Sequence, residues 1–323
     1  MLRPWLGGWW RWPASTTVGS LVLAVVAAWL MLWYAERYGT NEAFVEDFRG
    51  WIGVAVLSLG IWMALFVRGV ATVRAHRRMW PQGRLWWTWH IGAYALLVAA
   101  VVALLALNNA TQTIVVPIEG FAVVTRALIL LAGVAAGPWV LTVWLAHEQL
   151  RTLRFEVGQI RSPEPAERLA IEAVDGPAIS AAVQHSLAVW TVIERSALSL
   201  AVLVSTAVFL SGALRLALIN SGALDEAVFP VSAVLGYGAF FAVVLAIVVI
   251  PLVLAWRSTA MRLVEAALGV PRWGIPDQTW LDAQDRLLTR LRLDANVLRR
   301  PISALSIASP LLTAVLAALV PTT

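Results

Sequence analysis

Long apolar runs, broken by short charged segments, set the pattern of this 323-residue chain. Six of them, near 17–35, 51–70, 90–107, 121–146, 196–219 and 230–256, are continuous rather than alternating. A helix needs about 20 mostly apolar residues to cross hydrocarbon. Inside lipid, only helices and closed barrels satisfy every backbone group. The pattern therefore predicts an all-α, polytopic membrane bundle with six transmembrane helices. Four lie in an N-terminal membrane region, 1–146, and two more in 196–256.

Two segments between the runs are longer and more polar than turns. Residues 147–195 begin as a continuation of the fourth span and break at the Ser-Pro-Glu-Pro of 162–165. They resume near Pro177, since proline suits a first helical turn but not a helix interior. From there a helix can run unbroken into the fifth span. Residues 257–300 break at 269–276 and then carry Leu287, Leu291, Ala295 and Leu298 at helical spacing. Together the two segments predict a small cytoplasmic helical domain.

The tail, 301–323, holds no charge and follows Arg299-Arg300. Its apolar stripe is Ile302, Leu305, Leu312, Leu316 and Leu319. On another face Ser303, Ser306, Ser309 and Thr313 form a line of small hydroxyls. The arginines sit where a cytoplasmic boundary belongs, so the tail predicts a seventh span with an external C-terminus. A re-entrant or surface-lying helix and a soluble bundle helix are the alternatives. Hydroxyls in membrane helices commonly pack closely and bond to the preceding turn or a neighbour. The sharper reading has several copies of this helix surrounding a narrow aqueous path.

Charge orients the runs. Basic residues collect in cytoplasmic loops. The first segment carries Arg3 and Arg11 and no acid. Residues 36–50 hold Glu36, Glu42, Glu46 and Asp47 against Arg37 and Arg49. The next connection bears Arg68, Arg74, Arg77, Arg78 and Arg84 without an acid. Glu119 alone charges 108–120, and Asp225 and Glu226 the fifth connection. The sign alternates as six spans with a cytoplasmic N-terminus require. The segment 147–195, with seven acids and five arginines, is the exception and is long enough to weigh little.

Composition agrees with a membrane protein: 60% hydrophobic, 13% charged and 18 tryptophans. Trp5, Trp9, Trp10, Trp12, Trp80, Trp86, Trp87 and Trp89 flank spans on the cytoplasmic side, where indoles anchor at headgroups. All 24 basic residues are arginine, which points to GC-rich coding and a bacterial source. The net charge of +5 is not a nucleic-acid footprint, because the arginines follow the apolar runs rather than one face. Cysteine is absent, which removes disulfides, thiolate metal sites and cysteine nucleophiles.

Candidate chemistry is sparse. The four histidines, His76, His90, His147 and His185, are scattered, and His147-Glu148 lacks the second histidine of a zinc-protease helix. No Asp or Glu lies inside the six spans, where a proton-coupled carrier keeps its ionisable group. No catalytic residue, metal ligand or cofactor site is predicted. Arg126 and Arg215 lie within apolar runs near their outer ends. Both can snorkel to headgroups, or they form a ring of positive charge at an outer vestibule. Gly133 and Gly137, followed by Pro138, have the spacing for close helix approach and a kink.

One string, Val234-Leu-Gly-Tyr-Gly238, resembles the glycine-tyrosine-glycine filter of potassium channels. The resemblance covers these few residues. Leu235 stands where that family has a hydroxyl residue, and no separate pore helix precedes the string, so it implies no filter here.

The sequence thus reads as a non-enzymatic integral membrane protein in lipid, self-associating and forming a channel or pore in a bacterial plasma membrane. The alternatives are a scaffold or sensor that binds a cytoplasmic protein partner through its polar helices, and a carrier of an uncharged solute.

Overall fold

A computed structural model of the chain describes residues 13–76, 79, 83–109, 116–160, 176–269, 276–293 and 301–319. Among these residues there are eight helices: α1 (Pro13–Tyr38), α2 (Glu42–Ala75), α3 (Arg84–Asn109), α4 (Phe121–Gln159), α5 (Pro177–Asn220), α6 (Val231–Leu268), α7 (Gln278–Arg290) and α8 (Pro301–Leu319). Five are long and apolar enough to cross a membrane, on α2, α3, α4, α5 and α6. The predicted first span falls on α1 and the predicted seventh on α8. The chain divides into two compact units. One takes Met1–Leu141, Ser199–Val243 and Ala308–Thr323, the other Thr142–Leu198 and Val244–Ile307.

In the first unit, α2 starts where Asn41, in extended conformation, accepts the Phe44 backbone N–H at 3.1 Å. Its buried residues Phe44, Phe48, Trp51, Ile52, Ala55, Leu59 and Trp62 recur at helical spacing and form one face. Phe48 stacks on Trp51 at 4.6 Å, and Phe121 meets both rings edge-on. Tryptophans tie neighbouring helices through their indole N–H groups. Trp51 donates to the Leu210 carbonyl at 3.1 Å, Trp62 to the Thr206 hydroxyl at 2.7 Å, and Trp139 to the Leu65 carbonyl at 3.0 Å. In lipid such bonds satisfy groups that no water would reach.

Small residues set the closest approaches. A Cβ on Gly69 would stand 2.8 Å from Pro138 Cβ, so α2 and α4 touch where α4 carries its internal proline. Gly133 and Gly137 of α4 receive Val98 and Tyr94 of α3, and the Tyr94 hydroxyl donates to the Gly133 carbonyl. At one end of this unit two connections meet. The Thr40 N–H donates to the Pro117 carbonyl at 3.0 Å and the Glu119 N–H to the Tyr38 carbonyl at 3.1 Å. Gly120 turns the chain there with φ +75°, beneath the Tyr34 hydroxyl.

The second unit is built from the later part of α4, the earlier part of α5, the later part of α6, and α7. Leu145, Leu153, Val189, Trp190, Trp256, Leu263, Leu287 and Leu291 are fully buried in it. Pro177 opens α5, which then runs 44 residues without a break. α7 is capped by Asp277, whose carboxylate accepts the Trp280 N–H at 2.8 Å.

α7 is shorter than the apolar spacing predicts. It ends at Arg290, and Arg292 takes a left-handed φ of +57°. The Leu293 N–H then closes back on the Leu288 carbonyl at 2.8 Å, the terminating pattern in which a left-handed residue follows the last turn. Leu287 and Leu291 belong to the buried face, whereas Ala295 and Leu298 lie outside the described residues.

Candidate functional site

The tail helix α8 carries the predicted hydroxyl line. Ser309 accepts a hydrogen bond from the Ser205 hydroxyl of α5 at 3.0 Å. Thr313 donates to the Ser309 carbonyl one turn back at 2.8 Å. The side chains of Ser303 and Ser306 lie outside the described residues. Both described hydroxyls therefore have partners within one chain.

The packed face of α8 consists of small residues. Pro310, Ala314 and Ala317 are buried, while Leu312, Val315, Leu316 and Leu319 are exposed. Gly212 of α5 meets Ala317, with 2.7 Å between a would-be Cβ and the Ala317 Cβ. Gly238 of α6 meets Ala314 and the Pro310 carbonyl, at 2.5 and 2.8 Å on the same measure. From Ser309 to Ala317, α8 thus runs alongside α5 from Ser205 to Gly212, in the same direction.

The Gly-Tyr-Gly string lies wholly inside α6. Its carbonyls belong to a helical ladder, and Gly238 is the seat of α8. Tyr237 turns to Phe241 edge-on at 4.7 Å.

Arg215 and Arg126 occupy different settings. Arg215 is 3% exposed, so it does not reach out to headgroups. Its Nε donates to the Phe229 carbonyl at 2.8 Å, and its guanidinium pairs with Glu226. It pins the connection between α5 and α6. Arg126 is half-buried, and among the described residues its Nε has no hydrogen-bond partner.

The second unit holds a polar seam that sequence reasoning missed. Thr142 of α4 and Ser196 of α5 share a hydrogen bond at 2.8 Å. Further along the same two helices, His185 lies between Glu156, 2.8 Å from Nδ1, and Gln149, 2.9 Å from Nε2. Arg154 donates to the Thr259 hydroxyl of α6 at 3.2 Å. Gln149 and Glu156 are seven residues apart and so share a face of α4, and that spacing was the available signal.

His185 and Glu156 also border an open groove of about 660 Å³, with Phe155, Ile160, Ile179 and Ala182 as its apolar lining. No three His, Cys, Asp or Glu side chains converge on a metal-sized site among the described residues. Comparison with known protein families, curated proteins and solved structures yields no match.

Proposed function

We propose that this chain is a non-enzymatic polytopic membrane protein that works as a scaffold or sensor. Its working part is the unit of Thr142–Leu198 and Val244–Ile307, standing on the cytoplasmic side of a bacterial plasma membrane and binding a soluble protein. One observation carries this reading. Helices α4, α5 and α6 have 39, 44 and 38 residues. At about 1.5 Å per residue each is roughly twice the length of the hydrocarbon. Their surplus portions carry Glu148, Arg151, Arg154, Glu156, Glu194 and Arg195 and pack around a tryptophan-rich core of their own. A chain that needed only to span lipid has no use for that second core.

The groove beside His185 offers the contact surface, with Phe155 70% exposed at its rim. A photo-crosslinking amino acid at Phe155 of the full-length protein, in its native membrane, tests the reading. Discrete heterologous adducts that a crosslinker at lipid-facing Leu96 does not give are expected. Adducts to lipid alone at both positions would refute it.

A homo-oligomeric channel is the second reading. The span interiors free of Asp and Glu and the Ser205–Ser309 hydroxyl pair within apolar helices favour it. Purified protein in liposomes should then pass ions, and Ser306→Leu with Ser309→Leu should abolish the current. A strict monomer in detergent, or vesicles that stay tight at every voltage, would exclude a pore between subunits.

A further inference from the structure

Four buried side-chain atoms lack a hydrogen-bond partner among the described residues: Arg126 Nε, Ser186 Oγ, Trp190 Nε1 and Trp280 Nε1. Two of them belong together. Ser186 and Trp190 are one helical turn apart on α5, so they share a face. They are 0% and 2% exposed, deep within the second unit. Side chains on a helix lean toward its N-terminus, which carries the Trp190 indole over the turn that holds Ser186.

The described residues around them supply no substitute. Trp190 packs against Trp256 with ring centroids 4.4 Å apart, and a ring face offers no strong acceptor. Trp256 spends its own indole N–H on the Ser186 carbonyl at 3.0 Å. Elsewhere on α5, Thr191 and Ser196 bond back to the carbonyl one turn earlier, at 2.9 and 2.7 Å. The Ser186 hydroxyl does not. Native cores leave few such groups unsatisfied, and buried waters typically bond to polar groups that the protein itself leaves without a partner.

We propose that the core of this unit holds one bound water molecule that bridges Trp190 and Ser186. Its chemistry fits both sides. Indole is a donor only, and the water oxygen accepts from it. The water then donates to Ser186 Oγ, with its second hydrogen directed to a nearby backbone carbonyl other than that of Ser186, whose two lone pairs already take the helical N–H of the next turn and the Trp256 indole. The water thereby joins the α5 turn to the Trp190–Trp256 contact between α5 and α6.

The test uses the full-length protein in lipid nanodiscs with ¹⁵N-labelled indoles. Trp190→Phe identifies the Trp190 signal by its disappearance. In the unsubstituted protein the Trp190 indole proton should show a cross-relaxation peak with water, and the carbonyl-bonded Trp256 proton should show none. Ser186→Ala should cut the Trp190 peak at least twofold while leaving the other indole signals in place. Ser186→Cys, with a thiol that bonds poorly, serves if the alanine variant does not fold. The Tm losses of Ser186→Ala and Trp190→Phe should combine to less than their sum. A missing Trp190 peak, a peak untouched at Ser186, or additive losses would each overturn the bridge.

Discussion

A methyl group on Gly238 would lie 2.5 Å from the Ala314 Cβ and 2.8 Å from the Pro310 carbonyl oxygen. Both contacts belong to α8, and one is backbone, so α8 would have to move away. Gly238→Ala should therefore destabilise the protein by about 1–3 kcal/mol, read as a lower thermal midpoint in detergent. Gly236 has nothing within 4 Å of its would-be Cβ. Gly236→Ala should leave the midpoint unchanged or raise it, because alanine is the better helix former. Arg215 gives a second case. Its guanidinium is buried, while Glu226, its partner, has a side chain 58% exposed. Water reduces what the pair contributes, yet Glu226→Gln leaves the buried cation facing a neutral amide in place of its counter-charge. We expect a loss of about 1–2 kcal/mol in the same assay. Neither role was legible in the sequence. Spacing places Gly238 and Arg215 on helices, but a close approach or a buried ion pair needs the identity of the second partner. The sequence supplies that only for neighbours one or two turns away.

At the scale of the element, α8 separates into the two faces that its sequence draws. Leu312, Leu316 and Leu319 do share a stripe, and Ser309 and Thr313 lie apart from it. What the pattern leaves open is which face meets protein. In water the apolar stripe turns inward; in lipid that drive vanishes, and small residues that permit close approach take the contact. Pro310, Ala314 and Ala317 do so here. α7 shows the opposite case, a polar helix whose end depends on the single left-handed residue Arg292, which spacing does not announce. Its beginning was open to reading in Asp277, an N-cap that accepts the Trp280 N–H. That bond, then one from the Thr279 hydroxyl, holds the Asp277 carboxyl below its ordinary pKa. A depressed folded-state value means that the stabilisation is present above the unfolded-state pKa. It is lost as pH falls through the folded one. Asp277→Ala should therefore lower the thermal midpoint at neutral pH, and the two melting curves should converge as pH drops below the carboxylate range. A gap that persists unchanged into acid would show that the carboxylate charge contributes nothing.

Across the whole molecule, the apolar runs made the helical membrane class plain, since each long run became a helix. The second unit was legible only as polar helical extensions, because its core joins residues as distant as Trp190 and Trp256. The polar seam of Gln149, Glu156 and His185 was hidden for the same reason. The alternation of loop charge, by contrast, is local. Within the first unit the connections around 39–41 and 116–120 are hydrogen-bonded to each other. Trp51 bonds to Leu210 and Trp62 to Thr206, so α5 runs toward the start of α2 and brings the α5–α6 connection to the same end. That end carries Glu42, Glu119, Asp225 and Glu226, whereas the α2–α3 connection carries arginines and no acid. The positive-inside rule gives the expectation, to be tested, that the acidic end faces the exterior. The chain has no cysteine, so single substitutions report without background. Glu42→Cys, Glu119→Cys and Ala227→Cys, all exposed positions, should react alike with a membrane-impermeant maleimide on intact cells. Gly83→Cys should react only after the membrane is opened. Labelling of Gly83→Cys together with the other three would place both ends of α2 in one compartment, and α2 could not then be a span.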